Sequence, residues 1–130
     1  MIIEINTQSP TPIYTQLRDQ IVLGIAGGRL SPGEDLPSVR RLAADLGINF
    51  HTVNKSYAML SDEGYIQMDR RRGAVVAGEM ARGEVFEADL LEELTLSAAE
   101  AICHGISESE FAALCGRAYQ NAKNGGESND

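Results

Sequence analysis

Polar and cationic side chains are concentrated in two short stretches of the chain. The first contains His51, Thr52, Asn54 and Lys55, and the second is a run of three arginines at positions 70–72. An asparagine amide can pair with an adenine edge, whereas lysine and arginine pair with phosphate. These residue types therefore suit a protein that forms hydrogen bonds to base edges and places its cationic side chains on the phosphates of the DNA backbone. Taken alone, both stretches could also be solvated surface. The secondary-structure elements that position them decide between solvated surface and DNA contact.

Two short helices are predicted to position the first stretch. Ser38 is expected to cap the first helix, Gly47 to end it in a left-handed conformation, and Asn49 to cap the second. Their apolar residues recur at helical spacing: Val39, Leu42, Ala43 and Leu46, then Val53, Tyr57 and Leu60. Because the turn between them is so short, the helices must cross steeply, as in a helix-turn-helix.

The arginines lie at the predicted tip of a β-hairpin that follows the second helix. Residues 65–68 and 74–76 have strand character, and residues 69–73 connect them. A preceding helix over residues 12–26, which Thr11 is expected to cap, carries an apolar stripe. A hairpin next to a helix-turn-helix is a wing, so the arginines at its tip are expected to bind phosphate or a narrow minor groove.

The net charge of −8 is distributed unevenly along the chain. Residues 1–78 contain eight basic and eight acidic side chains, whereas residues 79–130 contain three basic and eleven acidic ones. DNA binding needs local positive charge rather than a basic protein. The acidic C-terminal part is therefore expected to point away from phosphate.

The acidic part is rich in leucine and alanine and is predicted to form two helices. Ser107 and Glu110 have the spacing of a capping box at the start of the second helix. The apolar positions expected to face a second copy of the chain are Leu90, Leu91, Leu94, Ala98, Ile102, Phe111 and Leu114. These faces are too large for two helices to bury against each other, so we expect a homodimer.

Together the elements predict a fold that is mostly α with a small β wing (α+β). We expect a winged helix-turn-helix DNA-binding domain in residues 1–77, followed by a C-terminal helical hairpin for dimerisation in residues 78–123. The polar, glycine-rich residues 124–130 are expected to be a disordered tail.

The sequence contains no recognisable arrangement for catalysis or metal binding. It lacks a nucleophile elbow and an HExxH motif, so we expect neither enzyme activity nor a cofactor. Cys103, His104 and Cys115 do not have zinc-site spacing, and the two cysteines are expected to be buried as small apolar side chains. No apolar run is long enough to span a bilayer, and the N-terminus does not resemble a signal peptide. We therefore expect no membrane contact and a cytoplasmic location.

Three sequence motifs occur in order between residue 12 and the wing. They read P-I-Y-x-Q-L, G-x-L-x-P-G-x-x-L-P-S-V-R-x-L-A-x-x-L-G and T-V-x-K-x-Y-x-x-L-x-x-E-G. With these motifs, residues 12–77 resemble the N-terminal domain of GntR-family bacterial transcription regulators. The short two-helix C-terminal part is similar to that of the YtrA-like subfamily.

The resemblance implies which residues contact DNA. The matched positions are Arg40 in the first helix of the motif, Asn49, Phe50, His51, Thr52 and Asn54 at the start of the recognition helix, and Arg70, Arg71, Arg72 and Gly73 in the wing. Many relatives have arginine at the positions of Phe50 and Asn54, or proline at that of Phe50. A phenylalanine cannot donate a hydrogen bond to guanine, but it can contact a thymine methyl group.

Residue chemistry adds two positions to this set. Lys55 is expected to anchor the protein on phosphate. Ser38 is expected to be a helix cap first, and the helix N-terminus beside it can also offer backbone N–H groups to phosphate.

These observations predict a sequence-specific regulator that binds double-stranded DNA as a homodimer on a pseudo-palindromic operator. The resemblance implies a repressor, and YtrA-like relatives commonly control transporter operons. Any small-molecule effector would act through the connector at residues 76–86 and the interface between the two parts of the chain. Two alternatives stay open: a winged-helix module whose arginines bind an acidic protein, without sequence-specific DNA binding, and an enzyme with the C-terminal hairpin in its site.

Overall fold

The computed structural model describes residues 3–80 and 83–127, which form five helices and one two-stranded sheet. In chain order the elements are α1 (Ile13–Ala26), α2 (Val39–Leu46), α3 (Phe50–Asp62), β1 (Ile66–Asp69), β2 (Gly73–Val76), α4 (Glu84–Cys103) and α5 (Glu108–Lys123). This order confirms the predicted fold class, a winged helix-turn-helix followed by a C-terminal helical region. None of the helices in the described residues combines the length and apolar character that a membrane-spanning segment needs.

The first three helices and the sheet share one apolar core. Leu17 and Ile21 of α1 pack with Val53 and Leu60 of α3, and none of these four side chains is exposed to solvent. Full burial of each such side chain contributes about 2 kcal/mol. The core therefore holds α3 by one face and leaves its other face outside.

Two buried hydroxyl groups tie α3 to its neighbours. The hydroxyl of Ser56 donates to the backbone carbonyl of Tyr14 in α1 at 2.7 Å. The hydroxyl of Tyr57 donates to the backbone carbonyl of Pro37, just before α2, also at 2.7 Å. Burial raises the pKa of Tyr57, so its hydroxyl stays protonated as a donor. Because an unpaired buried hydroxyl costs about 1–3 kcal/mol, these bonds favour one orientation of α3.

The predicted helix ends are confirmed for α2 and α3. The hydroxyl of Ser38 accepts a hydrogen bond from the backbone N–H of Arg41 at 3.1 Å. The side chain of Asn49 accepts one from the backbone N–H of His51 at 2.7 Å. Gly47 ends α2 with a φ of 67°, in the left-handed region that glycine enters without steric cost.

The predicted cap of α1 is wrong. Pro12 occupies the N-cap position, the helix begins at Ile13, and no side chain caps it. The backbone N–H of Thr11 donates to the hydroxyl of Ser9, and its carbonyl accepts a bond from the side chain of Gln16. Thr11 therefore belongs to the turn that leads into the helix.

The wing is an antiparallel pair in which Ile66 lies opposite Val76 and Asp69 lies opposite Gly73. Both strands reach one residue nearer the hairpin tip than predicted. In addition, the segment before α2 runs beside β2, because the backbone N–H of Leu36 donates to the carbonyl of Ala74 at 2.8 Å. The wing is therefore braced against the helix-turn-helix on one side.

The two C-terminal helices are joined by residues 104–107. Ser107 and Glu110 form the predicted capping box at the start of α5, and hydrogen bonds from Ser107 lower the pKa of Glu110. Among the described elements, α4 and α5 do not pack side by side, whereas α5 contacts α1. The helical hairpin is therefore open within one chain.

The end of α5 lies against the end of α1. Gly125 is buried there, and the guanidinium of Arg29 donates to its carbonyl oxygen. The start of the segment predicted to be a disordered tail, residues 124–127, therefore lies against the end of α1. The rest of that predicted tail, residues 128–130, lies outside the described residues.

Candidate nucleic-acid interface

The first two turns of α3 present the side chains predicted to contact bases. Phe50, His51 and Asn54 are exposed and Thr52 is half-buried, whereas Val53 faces the core. The apolar face of α3 thus rests on the domain, and the polar face of its N-terminal turns points outward. Recognition helices enter a major groove in this orientation.

An aromatic ring links the two helices of the motif. The guanidinium carbon of Arg40 in α2 lies 5.5 Å from the ring centroid of Phe50 in α3, which is a cation–π distance. The ring of His51 meets Phe50 edge-on, with centroids 5.6 Å apart and planes at 82°. Side chains from both helices therefore form one continuous surface.

A second cation is held by an aromatic ring from α1. The ammonium nitrogen of Lys55 lies 3.9 Å from the ring centroid of Tyr14. Such a contact contributes about 0.5–1 kcal/mol at an exposed site and restricts a long, flexible side chain. Lys55 is thereby placed close to the first turn of α1, with donors left for an anion.

The wing tip is shaped by an aspartate that precedes the arginines. The carboxylate of Asp69 accepts hydrogen bonds from the backbone N–H groups of Arg71 at 2.7 Å and Arg72 at 3.0 Å. These bonds lower the pKa of Asp69. The turn closes at Gly73, whose φ of 82° suits glycine.

The three arginines of the wing have different surroundings. Within the described residues, Arg70 and Arg71 are exposed and form no ion pair. The guanidinium of Arg72 instead donates to the carbonyl of Gly33 at 2.7 Å and pairs with Asp35 at 2.5 Å. Both partners of this pair are half-exposed, so it contributes less than about 1 kcal/mol, but it joins the wing to the segment before α2.

Three residues that contribute to this surface were not predicted from sequence: Tyr14, Asp35 and Asp69. An aspartate ahead of a turn that ends in glycine is a recognisable local signal, so Asp69 could have been found. Tyr14 and Asp35 act on partners far away in the chain, so no local pattern identifies them.

The seven apolar residues predicted for dimerisation lie on α4 and α5. Leu90, Leu91, Leu94, Ile102 and Leu114 are exposed, and Ala98 and Phe111 are half-buried near the joint between the helices. Leu91 and Ile102 have exposed fractions of 65% and 73%. Contiguous apolar surface of this kind marks an interaction site.

The two cysteines are exposed, contrary to the prediction that they would be buried. Cys103 is the last residue of α4 and Cys115 lies within α5, and the rest of the described chain leaves both side chains exposed. Among residues 3–80 and 83–127, no three histidine, cysteine or acidic side chains lie close enough together to hold a metal ion.

Comparison with known protein families and sequences gives a consistent result. The family model "Bacterial regulatory proteins, gntR family" matches residues 13–76, from α1 through β2. The transcriptional repressor YtrA of Bacillus subtilis is 41% identical over 76 residues, which are 58% of this chain and 58% of YtrA. The regulator YhcF of the same organism is 31% identical over 101 residues, covering 78% of this chain and 80% of YhcF.

Some relatives are much longer than this chain. The pyridoxine biosynthesis regulator PdxR of Corynebacterium glutamicum is 40% identical over 74 residues, which are 57% of this chain but only 16% of PdxR. The chain thus spans less than two thirds of both PdxR and YtrA. The shared part is the winged helix-turn-helix.

Solved structures extend the likeness to the C-terminal helices. A transcriptional antiterminator from Listeria monocytogenes has a TM-score of 0.87 at 26% identity, covering 95% of this chain and 93% of that one. YtrA from Sulfolobus acidocaldarius has a TM-score of 0.61 at 45% identity, covering 73% and 99%. The AraR DNA-binding domain, solved with operator ORX1, has a TM-score of 0.53 at 26% identity, covering 59% and 99%.

Proposed function

The chain belongs to the GntR family of bacterial regulatory proteins and is YtrA-like, and from this we propose that it represses transcription as a homodimer on a pseudo-palindromic operator. The observation that carries the proposal is the exposed N-terminal face of α3, flanked in sequence and space by cations that aromatic rings hold in place. The known operator complex of the related AraR domain supports double-stranded DNA as the partner. Bacillus subtilis YtrA is named a transcriptional repressor, which supports repression rather than activation.

The base-reading positions are assigned to α3 and the start of α2. Asn54 pairs with adenine, because its amide N–H can donate to N7 while its amide oxygen accepts from the N6 amino group in the same plane. His51 and Thr52 contact neighbouring base edges, and Arg40 contacts guanine. Phe50 supplies apolar contact. Arg40, Phe50, His51 and Asn54 are exposed, and Thr52 is half-buried.

The anchoring positions are assigned to cations at the edges of the surface. Lys55, Arg70 and Arg71 bind phosphate and fix the register of the protein on the duplex. Their charges are free for this role, since Lys55 contacts a neutral ring and neither arginine has an ion pair within the described residues.

The remaining predicted site residues act by positioning. Ser38 and Asn49 use their side chains as helix caps, so any contact with phosphate is made by backbone N–H groups beside them. Gly73 allows the wing turn. Arg72 holds the wing through Asp35, and reaches DNA only if it leaves that partner.

Dimerisation is assigned to α4 and α5, within a region that begins at residue 78 and ends at residue 123. Their uncovered apolar residues would be buried by a second copy, which would present two recognition helices to the two half-sites of an operator. The surplus of acidic side chains after residue 78 keeps this region off the DNA.

Repression follows from occupancy of the promoter by the bound dimer. Because the chain is YtrA-like, we propose that the operon it represses encodes a transporter. A small-molecule effector would have to favour one dimer geometry over another. The connector at residues 76–86, of which residues 81 and 82 lie outside the described residues, is where such a change would alter the spacing of the recognition helices.

Fluorescence anisotropy tests the proposal directly. Purified protein is titrated onto a labelled duplex from upstream of its own gene and onto a shuffled duplex, across a salt series. We expect tight, salt-sensitive binding to the native duplex, about a thousandfold tighter than to the shuffled one, that saturates at two chains per site.

The outcomes separate the proposal from its rivals. Equal, weak binding to both duplexes, repeated with DNA selected from a random library, would mean that the winged helix recognises an acidic protein instead. Specific binding by a single chain would remove the homodimer from the proposal. The Asn54→Ala variant is the control, since it keeps the charge of the surface and removes one reader.

A further inference from the structure

The winged domain and the first turns of α4 form a cleft of about 710 Å³ between them. Sites that hold a drug-sized molecule have volumes of about 300–1,000 Å³. On the domain side the cleft is lined by Arg18 of α1, by the end of α3 and by Tyr65 just before β1. On the other side it is lined by Met80 and by the face of α4 that runs from Val85 to Glu93. The cleft therefore lies where the two parts of the chain are joined.

Aromatic and aliphatic side chains form the body of the cleft. The ring of Tyr65 is half-buried against the core, and the ring of Phe86 on the opposite side is 58% exposed. Met80 and Leu90 are exposed as well. A ligand with an apolar body would remove these surfaces from water, and this favours binding.

The cleft carries a surplus of negative charge. Four carboxylates line it: those of Asp62, Glu63, Asp89 and Glu93. Its one guanidinium, that of Arg18, is already paired with Glu63 at 2.8 Å and with Asp19 at 2.9 Å. The other three carboxylates of the cleft form no ion pair within residues 3–80 and 83–127. A cation would therefore find unpaired partners here, and an anion would not.

The face of α4 that lines the cleft differs from the face assigned to dimerisation. Phe86 and Glu93 are seven residues apart and lie on one side of the helix. Leu91 is five residues from Phe86 and lies roughly 140° around the helix from it. Leu90 lies at the border between the two faces. A second copy packed on the stripe of Leu91 and Leu94 would therefore leave the cleft open to a ligand.

We propose that this cleft binds a small organic cation with an apolar body, and that its occupancy alters the affinity of the dimer for its operator. Ring faces and unpaired carboxylates both attract a cation, and the apolar surface of the cleft suits the rest of such a molecule. The effect on the operator rests on the proposed function, whereas the site itself does not. A ligand between the winged domain and α4 favours one placement of α4, and it changes DNA binding as far as the operator favours another.

Two ions of equal shape and opposite charge test the site itself. Tetraphenylphosphonium and tetraphenylborate are titrated separately into the full chain without DNA, and calorimetry gives each dissociation constant. We expect the cation to bind at least about tenfold more tightly than the anion, because the charge of the cleft decides between them. Tetramethylammonium has the charge without the apolar body and should bind at least about tenfold more weakly than tetraphenylphosphonium.

Two neighbouring glutamates of α4 provide matched variants. Glu93 lines the cleft, whereas Glu92 is turned roughly 100° away from it and does not. Glu93→Gln is expected to weaken binding of the cation about threefold, and Glu92→Gln should change it less than about 1.5-fold. Phe86→Ala should weaken it about fivefold, because a ring face and apolar surface are lost. All three side chains are exposed, and an unchanged melting temperature shows that each variant is folded.

The effect on DNA is measured with an operator duplex selected from a random library. Saturating tetraphenylphosphonium is expected to change the affinity for this duplex at least about fivefold, within the usual range of coupling between two sites. Because coupling is reciprocal, the duplex should change the affinity for the cation by the same factor. Glu93→Gln should need a higher concentration of the cation for the same change, and Glu92→Gln should not.

Three results would overturn the inference. Equal affinity for the two tetraphenyl ions, or equal effects of Glu92→Gln and Glu93→Gln, would mean that the cleft is not a cation site. Dissociation of the dimer by the cation, measured by sedimentation equilibrium, would mean that a second copy fills the cleft. Unchanged operator affinity at saturation would remove the regulatory role. If the library yields no operator, the proposed function fails, and the calorimetric titrations still decide whether the site exists.

Discussion

The two parts of this chain use the same apolar residue types with opposite results. In residues 3–78, leucines at helical spacing are covered by other elements, and Leu17 and Leu60 have no exposed surface. In α4 and α5 the same spacing leaves Leu91 and Leu114 exposed at 65% and 43%. The first part has its packing partner within the chain, and the second does not. A helical stripe therefore identifies a buried face, but it does not say which molecule buries it.

The largest effect that tests this contrast is expected in the core of the first part. Leu60→Ala removes a fully buried side chain from α3, and such changes cost about 3 kcal/mol because a cavity remains. Urea denaturation followed by circular dichroism gives the free energy of unfolding. A loss below about 1 kcal/mol would mean that the core around α3 can collapse and that the contrast between the two parts is weaker than described.

The second test concerns the uncovered face and has a matched control on the same helix. Leu91 and Leu96 are both 65% exposed, but they are five residues apart on α4 and point roughly 140° away from each other. Leu91 lies on the stripe with Leu94 and Ala98, and Leu96 lies on the opposite side.

Leu91→Asp is expected to raise the dimer dissociation constant about a hundredfold, because two carboxylates would be buried per dimer. Leu96→Asp adds the same charge outside the interface and should change the dimer dissociation constant less than threefold. Sedimentation equilibrium measures both constants. Equal effects of the two variants would show that a second copy does not cover this stripe.

Binding of DNA should depend on the first part without disturbing the second. Asn54→Ala is expected to weaken binding to the selected operator by about 2 kcal/mol and to relax the preference at one base pair. The dimer dissociation constant should stay unchanged, since Asn54 lies on the exposed face of α3. Competition titrations with single-base variants of the operator measure the effect.

Arg71→Ala is the counterpart for an anchoring residue. It should weaken binding to all duplexes alike, by about 1 kcal/mol, and lower the slope of log affinity against log salt by about one. The opposite pattern, with Asn54 acting uniformly and Arg71 acting at one base pair, would reverse the assignment of reader and anchor.

The features that sequence predicted well are those whose cause is local. Ser38, Gly47 and Asn49 were correctly predicted because a cap or a left-handed turn needs only its immediate neighbours. The bracing of the wing by Arg72 and Asp35 was not predicted, because the two residues meet only after the hairpin folds back on the segment before α2. The same reason explains the contact between Lys55 and Tyr14.

The exposure of the C-terminal residues was beyond prediction for a different reason. Periodicity showed that α4 and α5 each have an apolar face, whereas Cys103 and Cys115 were expected to be buried because free cysteines usually are. The open arrangement of the two helices depends on where α5 ends, against α1, and that depends on tertiary packing. Glycines 125 and 126 resemble a flexible tail in sequence, and packing gives them a fixed place.

The contact between these glycines and α1 is one place where the two parts of the chain meet, and it gives the smallest expected effect. A Cβ atom on Gly27 would lie 2.5 Å from the Cα of Gly125, which is too close for any real contact. Gly27 itself has an ordinary φ of −84°, so alanine is compatible with its backbone. Gly116 in α5 has open space where a Cβ would lie and provides the control.

Gly27→Ala is therefore expected to release the end of α5 from α1 at a cost of about 1 kcal/mol, the low end for an overpacked site. Hydrogen exchange should become about fivefold faster in residues 121–127, and the core amides of α3 should stay protected, because the first part keeps its own core. Gly116→Ala should leave both unchanged. If Gly27→Ala instead speeds exchange throughout α1 and α3, the two parts are one cooperative unit, and the contrast between a self-sufficient domain and a dependent helical region is wrong.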